Sequence, residues 1–152
     1  MKKGVVVIGS DHAGVALKDK IVKHLISEKV EFEDYGSFDA KAKDDYPDFA
    51  FEVGERVSKG RGKFVGVLVC DTGIGMSIAV NKVKGVRGAL AGSEFMAKRA
   101  REHNDANVLC LGSESVSSGK AIKIVDKFLK GKESKVDRHK RRVRKIGRYL
   151  GK

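Results

Sequence analysis

Several residue types that point to particular protein classes are scarce in this chain of 152 residues. It has no tryptophan, one proline and two cysteines, Cys70 and Cys110, each in an apolar stretch. So few cysteines, without metal-ligand spacing, exclude a disulfide scaffold and a zinc ribbon. No apolar run approaches the ~20 residues that a bilayer span needs. The first apolar run, residues 5–8, is also too short for a secretory signal, so we expect a soluble, cytoplasmic protein without membrane contact.

Positive charge is in excess, and most of the excess lies near the C-terminal end. The formal net charge is +12, and residues 132–152 hold ten basic and two acidic residues. Such a tail binds an anionic partner or is simply solvated, and both nucleic acid and a phosphorylated small molecule fit the first case. Aromatic residues are not interleaved with the charges as a platform for stacking bases requires, which makes nucleic acid the weaker choice.

Short β-branched stretches alternate with stretches of helical period along the chain. Strands are predicted at residues 4–10, 30–35, 64–70, 86–91 and 107–112. The segments between them carry apolar residues three and four positions apart, which is typical of helices. The alternation predicts a single α/β domain over residues 1–152, a doubly wound, Rossmann-like parallel sheet with helices on both faces.

The basic tail, residues 132–152, is predicted to be helical. The expected helix spans residues 136–150 and carries a loose apolar stripe of Val136, Val143, Ile146 and Leu150. Arg138 and Arg142 are four residues apart and therefore share one face of such a helix. Arginine suits bidentate binding of phosphate, although a solvated basic helix explains the spacing equally well.

Ligands of doubly wound sheets bind at the carboxyl ends of the strands, and the first strand ends in Asp11 and His12. Asp11 could be the N-cap of the next helix, with His12 on the surface. Taken alone, the pair favours this capping interpretation, but a carboxylate beside an imidazole at a strand end also suits acid–base chemistry.

The third strand ends in Cys70, followed by a glycine-rich turn over residues 71–75. Glycines let backbone amides approach an anion closely, and no Gly-Lys-Ser/Thr follows, so the turn is not a P-loop. A thiol beside such amides can serve as a base or nucleophile. A buried inert thiol is the alternative, and it is the one that suits Cys110.

His103 ends a basic helix just before the last strand. A histidine at this place either interacts favourably with the carbonyl end of the helix or acts as a general acid or base.

Five motifs and the tail arginines together resemble one enzyme family. The motifs are residues 10–14, 46–48, 70–76, 87–89 and 103–109, in that order along the chain. They resemble the type B ribose-5-phosphate isomerases, whose superfamily includes galactose-6-phosphate isomerase, over nearly the whole chain. The resemblance implies a Rossmann-like fold, a homodimer or homotetramer, and a reaction with no metal and no organic cofactor.

The resemblance also implies roles for particular residues. Cys70 would be the base that moves the proton on carbon, and Thr72 would pass a proton between the two sugar oxygens. Asp11 and His103 would open the furanose ring. An anion hole is implied for three backbone positions and one side chain: Gly73, Ile74, Gly75 and Asn104.

Phosphate binding is implied for His12, Arg138 and Arg142, and Tyr46 resembles a residue of the pocket wall. In the family, the histidine–asparagine segment and the tail arginines complete the site of the neighbouring subunit. The expected function is therefore the interconversion of ribose 5-phosphate and ribulose 5-phosphate through a cis-enediolate. Two alternatives stay open, a six-carbon substrate (allose 6-phosphate or galactose 6-phosphate) and a nucleic-acid-binding module on an inactive isomerase fold.

Overall fold

A computed structural model describes residues 4–149 of the chain. Strands and helices alternate through most of this range. The strands are β1 Val5–Ser10, β2 Phe32–Asp34, β3 Phe64–Cys70, β4 Gly88–Leu90 and β5 Val108–Gly112. The helices are α1 Val15–Ser27, α2 Tyr46–Lys59, α3 Ile74–Val80, α4 Glu94–Asn104, α5 Ser118–Lys130 and α6 Asp137–Arg148, and a 3-10 turn, His12–Gly14, precedes α1.

The five strands pair in parallel in the order β2-β1-β3-β5-β4. The long pairing of β1 with β3 runs from Val5 opposite Phe64 to Ser10 opposite Val69. β1 continues into α1 and β2 on one side of this pair, whereas β3 continues towards β4 and β5 on the other. The predicted Rossmann-like parallel sheet is confirmed.

Both faces of the sheet are buried by helices. Val6 and Ile8 of β1 pack into a core with apolar residues of α1, α4 and α5. Val7 and Leu68 point to the opposite face, where α2 and α3 supply the other core. Because successive strand residues alternate between these two cores, the central strands are almost continuously apolar.

The edge strands are shorter than expected. The strand predicted at 86–91 is confined to Gly88–Leu90, and the one at 30–35 to Phe32–Asp34. Each pairs with a single neighbour, so fewer hydrogen bonds hold its ends. The middle strand Phe64–Cys70 has the predicted bounds because it is paired on both sides.

The basic C-terminal helix is confirmed, but its predicted apolar stripe is wrong. Val136 and Ile146 are 46% and 53% exposed, whereas His139 is 7% exposed and is the buried residue of α6. Within the described residues, α6 makes its main contact with α4. A helix this rich in arginine and lysine has little apolar area to bury. Leu150 lies outside the described residues.

None of the helices within residues 4–149 combines the length and the apolar character that a membrane span requires.

Candidate active site

The carboxyl ends of β1 and β3 lie side by side. Ser10 is opposite Val69, and the amide of Asp11 donates to the carbonyl oxygen of Val69 at 3.3 Å. The chain leaves β1 towards α1 and leaves β3 towards α3, on opposite faces of the sheet. Such a divergence opens the crevice in which doubly wound proteins bind their ligands.

Cys70 is the last residue of β3 and its side chain is received by the glycine-rich turn. Its Sγ accepts a hydrogen bond from the amide of Gly73 at 3.1 Å, and the residue is 5% exposed. The amide of Ile74 donates to Oγ1 of Thr72 at 3.3 Å. The turn therefore holds the sulfur at a fixed position at the carboxyl end of β3. The first amides of α3, which begins within this turn, lack intrahelical acceptors.

Two glycines are required by the shape of this turn. Gly73 has a φ of +78°, and a Cβ there would lie 2.7 Å from the Leu90 side chain and 2.8 Å from the Leu111 backbone. At Gly75, a Cβ would come within 2.6 Å of the Tyr46 ring. Tyr46 therefore forms one wall of the turn, and the ring can lie there only because residue 75 has no side chain.

Asp11 adopts the capping role, which is one of the two roles that its position in the sequence left open. Its Oδ1 accepts from the amide of Gly14 at 3.0 Å, so it caps the 3-10 turn. The carboxyl is nevertheless buried at the edge of the crevice, and this burial raises the pKa of Asp11 above its ordinary value. A carboxyl with a raised pKa is a common feature of acid–base sites.

His12 is held by a residue that the sequence did not single out. Its Nδ1 lies 2.6 Å from Oδ1 of Asp44, which also accepts from the His12 amide at 2.9 Å. The hydrogen bond to Asp44 raises the pKa of His12. Desolvation raises the pKa of Asp44, but the hydrogen bonds from His12 lower it by more, so the pKa of Asp44 lies below its ordinary value. The pair favours a cationic His12 beside the crevice.

His103 and Asn104 lie near the amino-terminal ends of the strands, whereas Cys70 lies at a carboxyl-terminal end. They end α4, which runs antiparallel to the strands, and β5 then begins at Val108 opposite Gly66. Four residues of strand separate this level from that of Cys70, a distance of about 13 Å along the strand. The fold of one chain therefore does not bring His103 to its own Cys70.

The tail arginines belong to the same region as His103. α6 packs on α4, and the rings of His103 and His139 stack with their centroids 4.1 Å apart. Arg138 and Arg142 flank His139 on α6 and are exposed. Within residues 4–149, neither arginine is within 4.0 Å of a carboxylate. They are thus available to an anion.

A single chain therefore holds two separate halves of the predicted site. The crevice half has the thiol, the turn and the Asp11–His12 segment, and the α4–α6 half has the second histidine, the asparagine and the two arginines. No group of three or more potential metal ligands is present in the described part of the chain.

Comparison with known proteins identifies the family to which this chain belongs. The profile of the family described as Ribose/Galactose Isomerase matches residues 6–146. The chain belongs to this family. Among its members, the probable ribose-5-phosphate isomerase B of Mycoplasma genitalium is 49% identical over 144 residues, covering 95% of this chain and 94% of that protein. Ribose-5-phosphate isomerase B of Escherichia coli is 40% identical over 146 residues, covering 96% and 95% of the two chains.

Solved structures of family members share the fold. The crystal structure of ribose-5-phosphate isomerase B from Mycoplasma genitalium with bound ribulose-5-phosphate has a TM-score of 0.92 at 47% identity, covering 98% of this chain and 97% of that chain. The enzyme from Thermotoga maritima has a TM-score of 0.90 at 39% identity, covering 96% and 99%. The predicted family membership is confirmed.

The contact between Asp44 and His12 leads to a first prediction. Replacing Asp44 by Asn removes the charge that raises the pKa of His12 but keeps an oxygen for the His12 amide. The His12 pKa should fall towards the ordinary value of about 6.5, as measured by NMR titration of its ring proton. Asp45→Asn is the matched control, because this neighbouring carboxylate makes no contact with His12 and its removal should have a much smaller effect. Equal titration of His12 in all three proteins would contradict the assignment.

Proposed function

We propose that the chain is a ribose-5-phosphate isomerase that interconverts ribose 5-phosphate and ribulose 5-phosphate, with Cys70 as the base on carbon. The observation that carries the proposal is the geometry of Cys70, a strand-end thiol that accepts a backbone amide bond inside a glycine turn. A pentose is favoured over a six-carbon sugar because a family member 47% identical to this chain has been solved with ribulose-5-phosphate.

The isomerisation transfers a proton from C2 to C1. The Cys70 thiolate takes the proton from C2, and the electron pair of that C–H bond forms the double bond of a cis-enediolate, which leaves negative charge on O1. The Thr72 hydroxyl passes the proton of O2 to O1, and the thiol then returns its proton to C1. Backbone amides of residues 73–75 and the side chain of Asn104 stabilise the charged intermediate, as preorganised donors do in other proton-transfer enzymes.

The cyclic sugar must open first. Opening breaks the bond between C1 and the ring oxygen, removes the proton of O1 and delivers a proton to the ring oxygen. We assign this step to Asp11 and His103. The raised pKa of Asp11 suits a carboxyl group that has to accept a proton and release it again. His12, Arg138 and Arg142 hold the phosphate, whose charge matches their cations.

The proposal includes a homodimer, alone or paired into a homotetramer, in which each site combines the halves of two chains. It is supported by the positions of His103 and Cys70, which lie at opposite ends of the strands of one sheet. Exposed apolar side chains around the edge strand β4 offer a surface for association: Ile74, Ile78, Leu90 and Phe95. We also propose a cytoplasmic location, because a catalytic thiol has to stay reduced.

The role of Cys70 is tested by replacing it with alanine. Cys70→Ala should abolish isomerisation in both directions while it retains the fold and binds the sugar phosphate, because only the base on carbon is lost. The matched control is Cys110→Ala, whose thiol is fully buried in β5 and has its pKa raised by that burial. This control should keep its activity. Rates measured with both sugars, together with calorimetric binding, decide the outcome, and near-normal turnover by Cys70→Ala would place the base elsewhere.

The shared site is tested by mixing two proteins that are each defective towards ribose 5-phosphate. Cys70→Ala and His103→Asn subunits, unfolded together and refolded, form mixed dimers in which one site carries both substitutions and the other carries neither. The mixture should recover about a quarter of the wild-type activity towards ribose 5-phosphate, since half of the dimers are mixed and each has one intact site. A site contained within one chain would recover nothing.

The basic helix offers a test between phosphate binding and nucleic-acid binding. Arg142→Ala should raise KM for the sugar phosphate by roughly 10–150-fold, because one charge-assisted contact to the phosphate is lost. The adjacent Arg141→Ala is the matched control and should change KM little. If α6 instead binds nucleic acid, both substitutions should weaken DNA or RNA binding similarly, and the affinity should fall steeply with salt. An unchanged KM in Arg142→Ala would refute its role at the phosphate.

A further inference from the structure

The imidazole of His103 is held from two sides by residues outside the proposed set of catalytic and binding residues. Nη1 of Arg99, one turn earlier in α4, lies 3.0 Å from Nε2 of His103. The ring of His139, on α6, stacks on the ring of His103 with centroids 4.1 Å apart and planes tilted by 35°. One neighbour thus contacts an edge nitrogen, and the other covers a face.

The contact with Arg99 determines which nitrogen of His103 carries the proton. A guanidinium has five N–H donors and no acceptor. Nε2 of His103 must therefore be the acceptor, with its lone pair directed at Arg99. The proton of the neutral ring is then on Nδ1, which is the nitrogen left to donate a hydrogen bond.

His139 is suited to be a passive support for this ring. It is 7% exposed, and its Nδ1 is a buried atom with no hydrogen-bond partner in the described part of the chain. Burial lowers the pKa of His139, and the cationic groups around it act in the same direction. A neutral His139 stacks on His103 without placing a further charge against it. Because His139 is the buried residue of α6, the same contact also sets the position of the helix that carries the tail arginines.

Charges of both signs surround the two rings. The negative charges are those of Glu102, Asp105 and Glu133. The positive charges are those of Arg99 on α4 and of four residues on α6: Arg138, Lys140, Arg142 and Arg144. Cations are in the majority, which favours the neutral form of His139.

We propose that Arg99 and His139 are positioning residues that hold His103 as the neutral tautomer protonated on Nδ1, with this N–H directed to the sugar. The inference rests on the proposed function, in which His103 takes part in ring opening. A donor fixed at Nδ1 stabilises negative charge on the ring oxygen as its bond to C1 breaks, and Asp11 then delivers to this oxygen the proton that it has removed from O1.

The tautomer can be read directly by NMR. In protein labelled with ¹⁵N in its four histidines, the His103 signals are assigned by their loss in His103→Asn. Above neutral pH, Nδ1 of His103 should show the chemical shift of a protonated nitrogen and Nε2 that of an unprotonated one. Arg99→Met should move the signals towards the other tautomer, whereas the matched control Lys98→Met, which removes one charge from the same helical turn, should leave them unchanged. A wild-type His103 protonated on Nε2 overturns the proposal.

Kinetics supply an independent readout. Ribulose 5-phosphate has no furanose form, because its phosphate occupies O5, so a ring-opening defect should slow only the reaction that starts from ribose 5-phosphate. In single-turnover mixtures, Arg99→Met and His139→Ala should lose about tenfold in that direction, a part of what a positioned acid or base contributes. His139→Phe, which keeps the stack, should restore the rate.

The outcomes separate the two proposals. Equal losses in both directions, or no loss in either variant, overturn the positioning role even if the wild-type enzyme is active. His139→Phe as slow as His139→Ala overturns the role of the stack. A wild-type protein inactive on both sugars overturns the proposed function, and the NMR measurement still decides the state of His103.

Discussion

The parallel pairing of β1 with β3 is the constraint on which the crevice depends. Ser10 lies opposite Val69, so both strands end at the same level of the sheet. The chain then turns to opposite faces, and the amide of Asp11 stays bonded to the carbonyl of Val69. A slip of one residue in this register would invert the side chains of β3, directing Cys70 into the other core and its turn away from Asp11.

The features predictable from the sequence are those whose signals are local. A buried parallel strand such as Phe64–Cys70 is a continuous apolar run, and a turn with a positive φ at Gly73 needs glycine, so both are visible in a few residues. The bounds of β4 depend on how far β5 accompanies it, and a short stretch of sequence does not contain that information.

The residues that could not be predicted from the sequence owe their roles to contacts with residues far away in the chain. Asp44 meets His12 across 32 positions, and nothing in its acidic loop distinguishes it from Asp39 or Asp45. His139 is surrounded by arginines and lysines in the sequence, so neither its burial nor its stack on His103 is visible there. The expected apolar stripe of α6 was wrong for the same reason, since packing against α4 selected an imidazole rather than a valine or isoleucine.

Because Cys70 and His103 of one chain are far apart, the activity of the enzyme depends on dimerisation in the proposed arrangement. A folded but solitary subunit has a base without its ring-opening partner and arginines without the thiol that their substrate needs. The rate per subunit then depends on how many subunits are paired, and it falls when the protein is diluted below the dissociation constant of the dimer. A compound or mutation that separates the subunits would inhibit the enzyme without occupying the crevice, and its effect would be reversed by raising the protein concentration.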